Sequence, residues 1–185
     1  MRSAKGCFAW LTSPLALKRW SRLSGVELEI PPEIESNKSY FAENFLGEKS
    51  NNANSSALSE DYVFHHAGEF DAAARIRDSI KVDGLWNDLA ISHLALVSDE
   101  ILSHFAMTAC EVAQHVVIDD ETGTAKDGLL FNQENVPAET LFYAALQSKT
   151  EAALNQLSIP NPIQLGGDAT TGLGFCSTSI APQHE

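Results

Sequence analysis

Gln164-Leu-Gly-Gly-Asp-Ala-Thr-Thr-Gly-Leu-Gly-Phe175 sets four glycines into twelve residues near the end of the chain. Glycine lets a backbone turn at positive φ and come close to a ligand, and successive amides can cradle a phosphate. The Gly167-to-Gly172 spacing imitates the start of a phosphate-binding P-loop. Leu173, however, stands where the phosphate lysine belongs, and no Ser or Thr follows to hold Mg²⁺, so a nucleotide triphosphatase is excluded. Two readings remain open on spacing alone: an amide-lined bend that holds a ligand, or a glycine-rich β connection that holds none.

Outward from this loop, the second half of the chain reads as strands and turns. Leu173 to Ile180 leaves the loop as a strand, and Ile163-Gln-Leu165 enters it. Thr150 to Leu157 is a short helix, and Thr140 to Leu146 and Leu129 to Val136 read as strands around Pro137. Val112 to Ile118 is β-branched and apolar, and Asp119-Asp-Glu-Thr-Gly123 is a turn. Ser98 caps a helix running to about Ala109, and Glu69 to Lys81 carries an apolar stripe of Phe70, Ala73, Ala74, Ile76 and Ile80.

From about 33 to 61 the composition turns polar, most of all in Glu48-Lys-Ser-Asn-Asn-Ala-Asn-Ser-Ser-Ala57. Such a segment buries too little to offset the entropy of ordering, so a flexible surface insertion is expected there. Val26-Glu-Leu-Glu-Ile30 alternates with period two and reads as a half-buried strand ended by Pro31-Pro32. Ser13-Pro14 opens a helix carrying Leu15, Leu17, Trp20 and Leu23, which closes at Ser24-Gly25. Residues 6–12 read as a buried strand. Helices mixed with largely antiparallel strands predict an α+β domain.

The chain has 185 residues, 44% of them hydrophobic and 20% charged, with a mean hydropathy of −0.12. That length buries roughly two-thirds of the unfolded surface, enough for a sizeable core. No apolar run approaches the ~20 residues of a membrane-spanning helix, so no membrane is expected. The net charge is −13, and it is unevenly placed. Residues 1–22 hold Arg2, Lys5, Lys18, Arg19 and Arg22 and no acid, whereas the remainder holds all 25 acidic groups. An acidic body repels polyanions at long range, so any nucleic-acid contact must be local, through the basic start or through backbone amides. Lys18, Arg19 and Arg22 either meet phosphates or simply solvate one helix.

Three cysteines, Cys7, Cys110 and Cys176, are odd in number and far apart, which suits a reducing cytoplasm better than a disulfide scaffold. The apolar stretch after Lys5 imitates a signal peptide, but Lys18-Arg19-Trp20 follows without a small-x-small cleavage site. The six histidines form no H-E-x-x-H pattern, although His93, His104 and His115 recur at intervals of 11. Asp119-Asp120-Glu121 offers hard oxygen ligands, or only a charged turn. A small metal-dependent hydrolase and an acidic protein-interaction domain are therefore the alternative functional readings.

Several segments, taken in order, resemble one family. These are Arg2-Ser-Ala-Lys-Gly-Cys-Phe-Ala-Trp-Leu-Thr-Ser-Pro-Leu-Ala-Leu-Lys-Arg-Trp20, Glu121-Thr-Gly-Thr-Ala125, Gly128-Leu-Leu-Phe131, Glu134 to Tyr143, and the glycine loop itself. Together they are similar to the backbone RAMP subunit of the type III-B CRISPR (Cmr) effector complex, an antiviral defence system. The resemblance implies an RNA-recognition-motif-like (ferredoxin-like) α+β core with insertions, forming one partial RAMP domain over residues 1–185. It implies CRISPR RNA and target RNA as ligands, with other copies of the chain and other Cmr subunits as partners. It also implies that intact relatives cleave guide-paired target RNA with a divalent metal such as Mg²⁺.

The implied RNA contacts are Lys5 and the loop residues Gly166, Gly167, Asp168, Thr171, Gly172 and Gly174. Relative to the family, the chain is expected to begin at the second Ser-Leu-Lys-Gly-like segment, without the first strand and the aspartate-bearing loop. No aspartate matches the cleaving position, so no catalytic residue is assigned, and whether the chain is itself an enzyme stays open. Leu173 replaces a frequent lysine and Gln114-His115 an arginine-bearing strand, both of which remove phosphate-directed charge.

Overall fold

Local capping chemistry accounts for the start of the fold in the computed structural model, which describes residues 9–43, 45, 56–59, 62–80, 84–150, 152 and 156–180. Strand β1 (Trp10–Thr12) runs straight into helix α1 (Pro14–Ser24). The Ser13 hydroxyl accepts from the Ala16 amide at 3.4 Å, and proline fills the first helical position where its missing N–H is not needed. Gly25 ends the helix at φ 72°, a left-handed cap that β-branched residues adopt only with strain.

Strands β2 (Lys38–Phe41), β3 (Ser56–Ser59), β4 (Tyr62–Glu69) and β5 (Leu94–Leu96) complete a five-stranded sheet in the order β1-β5-β2-β4-β3. The pairs β1–β5 and β2–β4 are parallel, and β2–β5 and β3–β4 antiparallel, so the sheet is mixed rather than largely antiparallel. Helices α2 (Ala72–Ser79) and α3 (Gly84–His93) connect β4 to β5, and α4 (Asp99–Thr108) follows β5.

The period-two geometry of strands sorts the core onto two faces. Leu94 and Leu96 join Leu17, Trp20, Ala73, Ile76 and Trp86 beneath α1, α2 and α3. Ala95 and Val97 point the other way and meet Phe41, Phe64 and Phe105 of α4. Buried Ser39 donates its hydroxyl to the Leu96 carbonyl at 3.0 Å, which meets the hydrogen-bonding demand of a polar group in that core. Helix α4 is capped by Ser98, whose hydroxyl accepts from the Ile101 amide at 3.2 Å. Ser98→Ala is expected to lower stability by about 1 kcal/mol, read as a shifted urea midpoint with an unchanged slope.

Beyond α4, β6 (Glu111–Ile118) and β7 (Ala125–Asn135) form a separate antiparallel hairpin, and β8 (Ile163–Gln164) pairs with β9 (Phe175–Cys176).

Four expectations are corrected. The polar segment 33–61 is not simply a surface insertion, because Lys38–Phe41 lies inside the sheet with Phe41 and Ser39 buried, and Ser56–Ser59 pairs at its edge. The most polar part, 46–55, lies outside the described residues. Val26, Leu28 and Ile30 do pack against the core, but the segment has no strand partner among the described residues and stays irregular. Residues 140–146 are irregular too; they follow Pro137 and the left-handed Glu139 at φ 63°. That segment is held instead by Trp10 Nε1, which donates to the Glu139 carbonyl at 2.7 Å, and by the Tyr143 hydroxyl, which donates to the Ala16 carbonyl. The closing strand is only Phe175–Cys176 rather than 173–180. The expected helix at 150–157 lies largely outside the described residues.

Candidate nucleic-acid interface

The glycine loop lies on the surface between β8 and β9. Gly166, Gly172 and Gly174 take φ values of 83°, 86° and 74°, and Asp168 takes 59°. A single 3₁₀ turn, Ala169–Thr171, sits at its centre. Inside the bend, the Gln164 side-chain amide donates toward the carbonyls of Leu165, Gly166, Gly167 and Leu173 at 3.2–3.4 Å. Among the described residues, the N–H groups of Gly166, Gly167 and Gly174 have no protein acceptor. Such donors are the backbone arrangement that receives anions.

The other loop residues act on shape. The Gly172 amide is spent on the Ala169 carbonyl at 3.1 Å, so this residue closes the turn and is not a free donor. Thr171 donates both its amide and its hydroxyl to the Asp168 carbonyl. Leu173, in the place of the frequent lysine, donates its amide to that same carbonyl at 3.2 Å and is half-buried. Gly174 is a steric requirement: a Cβ there would strike the Leu165 carbonyl, whose own amide donates to the Gly174 carbonyl at 2.8 Å. Lys5 lies outside the described residues.

The hairpin stands beside the loop. Val112, Val116, Leu130 and Phe131 are exposed on it, Leu130 at 61%. His115 stacks on Phe131 across the strands, with centroids 5.2 Å apart, and Gln114 meets Asn132. At the hairpin tip Asp119 Oδ1 accepts from the amides of Thr122 and Glu121. Those amides hold the Asp119 carboxyl below its ordinary value of 3.8, the Thr122 bond contributing most. A depressed carboxyl favours the folded turn above that value and loses this contribution as pH falls through the lowered one. Protection of the Thr122 amide, its exchange rate relative to an unstructured amide at the same pH, is therefore expected to be lost only as pH falls below the ordinary carboxyl range, whereas Asp119→Ala removes it already at neutral pH.

Sequence reasoning missed one contact at this site: Gln133 of β7 donates to Asp168 Oδ2 at 2.7 Å. The two residues are 35 positions apart, and no motif links them. The histidines at intervals of 11 do not converge, since His93 ends α3, His104 lies in α4 and His115 in β6. His104 Nε2 instead meets the Tyr62 hydroxyl at 2.7 Å. Among the described residues no three His, Cys, Asp or Glu side chains gather as ligands for a metal ion, so the divalent metal implied for cleavage has no matching donor set there. Lys18, Arg19 and Arg22 are exposed on α1. No helix among the described residues is long and apolar enough to cross a membrane.

A mixed sheet with helices, followed by a separate hairpin and a glycine-rich bend, is the setting of the site, and the chain belongs to the RAMP superfamily, whose family model matches residues 21–177. Within it, the chain is similar to the CRISPR system Cmr endoribonuclease Cmr4 of Pyrococcus furiosus, at 25% identity over 97% of this chain. It spans 64% of the length of that relative.

Two solved structures carry the same fold. One is oligomeric Cmr4 from Pyrococcus furiosus, with TM-score 0.56 and 20% identity, covering 95% of this chain and 66% of that one. The other is the type III-B Cmr-beta complex bound to cognate target RNA, with TM-score 0.59 and 19% identity, covering 91% of this chain and 59% of that one. The resemblance to Cmr backbone subunits read from the ordered segments is therefore borne out, as is the α+β RAMP-type fold.

Proposed function

We propose that this chain is a CRISPR RNA-binding backbone subunit of a type III-B antiviral ribonucleoprotein, working in the cytoplasm. The observation that carries the reading is a set of backbone amides without a protein acceptor among the described residues, at exposed Gly166 and Gly167 and half-buried Gly174, around carbonyls that Gln164 gathers. Amides bind phosphate through local hydrogen bonds, which suits a body with a net charge of −13 better than a broad basic patch would. Asp168, Thr171 and Gly172 shape the bend, and Lys5 is assigned to the same RNA path. Sequence selection then comes from base pairing between guide and target RNA, the protein reading only backbone and shape.

The exposed apolar side chains of the hairpin support contacts with other copies of the chain and with other Cmr subunits, because a lone soluble domain rarely displays such a patch. For cleavage of target RNA in such a complex, a divalent metal such as Mg²⁺ is the implied cofactor.

Co-expression of the tagged chain with its neighbouring subunits and a CRISPR array tests the reading. The expected result is a purified complex from which guide-length RNAs are extracted and sequenced back to the array. A complex with the absorbance ratio of protein alone would overturn it in favour of an acidic protein-interaction domain.

A further inference from the structure

The Gln133–Asp168 contact carries an inference that rests on, and deepens, the RNA-binding reading. Asp168 occupies the N-cap position of the 3₁₀ turn, yet its side chain makes no capping hydrogen bond. A capping aspartate ordinarily has extended backbone and accepts amides of the following turn, whereas Asp168 is left-handed and its carbonyl, not its carboxylate, takes the Thr171 amide. Here the carboxylate is drawn away: Gln133 Nε2 donates to Oδ2 at 2.7 Å and also to Asn135 Oδ1 at 3.0 Å. Half-buried Gln133 is thereby oriented by one neighbour on its own strand and holds the other across the gap to the loop.

A carboxylate left free on that bend would be able to swing its negative charge toward the donors proposed to receive RNA phosphates. We propose that Gln133 is a positioning residue for RNA: it ties the β6–β7 hairpin to the glycine loop and keeps the Asp168 carboxylate off the loop amides. Hairpin and loop then respond to one ligand together, because the hydrogen bond that fixes one also fixes the other.

The test uses the full chain and a fluorescein-labelled single-stranded oligoribonucleotide, with affinity read by anisotropy at low salt. Gln133→Ala is expected to weaken binding about fivefold, the net range of one hydrogen bond on an exposed surface. Asp168→Asn removes the charge, keeps a residue that tolerates φ 59°, and is expected to bind about twofold more tightly than the native chain, because a like charge beside the RNA phosphates is gone. In that background Gln133→Ala should cost less than twofold, a non-additivity that general loosening of the hairpin would not produce.

Hydrogen exchange on the RNA-free chain supplies an independent readout. The hydrogen-bonded amides of Thr171, Gly172 and Leu173 should exchange several-fold faster in Gln133→Ala. If the native chain binds no RNA but exchange still responds, the tie stands and the RNA reading falls. If the native chain binds RNA and Gln133→Ala changes neither affinity nor exchange, or if its cost is the same in both backgrounds, the inference is overturned.

Discussion

Gly174→Ala is expected to lower RNA affinity tenfold or more while leaving the unfolding midpoint nearly unchanged. The residue sits at φ 74°, and an added Cβ would strike the Leu165 carbonyl. The left-handed conformation alone costs an alanine about 1 kcal/mol, and the collision with backbone adds to it. Relief requires residues 165 and 174 to separate, and that breaks the hydrogen bond from the Leu165 amide to the Gly174 carbonyl at the neck of the bend. The four carbonyls around Gln164 then lose their common centre, and the loop amides lose their arrangement.

Residues 165–172 are exposed and no loop residue belongs to either core cluster, so the loss should appear in binding and not in global stability. Gly167→Ala is the contrast, since a Cβ there meets open space and φ is unremarkable; it should retain binding within about threefold unless a phosphate seats against that atom. Anisotropy titration and thermal melts of both variants check this. Equal affinity of the native chain and Gly174→Ala would sink the loop-amide account.

The second large effect lies in the core. Leu96→Ala should destabilise the chain by about 3 kcal/mol, near the middle of the range for fully buried leucines. Leu96 has no exposed surface, belongs to a strand of the sheet interior, and packs beneath α1 and α3. Its neighbours come from both parallel and antiparallel pairings, so the sheet cannot close over the lost methyl groups without moving two strands. In a domain of this size such a loss lowers the melting temperature by roughly 10 °C. Urea unfolding followed by tryptophan fluorescence reads it directly, because Trp20 and Trp86 lie in the same cluster. A change under 1 kcal/mol would mean that this cluster is not the stabilising centre.

Legibility in the sequence followed the range of the interaction concerned. Helices α1 and α4 were readable from Ser13-Pro14, Gly25 and Ser98, since a cap is a contact between residues three or four apart. The β6–β7 hairpin was readable from its β-branched run and the Asp119–Gly123 turn for the same reason. Helix α3 escaped notice because Gly84-Leu-Trp-Asn-Asp-Leu-Ala-Ile-Ser-His93 shows little one-sided patterning. Strand β2 was hidden by its own composition: Lys38-Ser-Tyr-Phe41 is half polar and was absorbed into a polar segment.

By itself, the sequence determined the α+β class, the family and the position of the glycine-rich bend, all of which rest on ordered local signals. Tertiary structure alone decided that Val26–Ile30 lacks a strand partner among the described residues, that Lys38–Phe41 has two, and that Asp168 faces Gln133. Capping and turn formation are satisfied within a few residues, whereas strand pairing and hydrogen bonds between distant side chains depend on which segment the folded chain brings alongside.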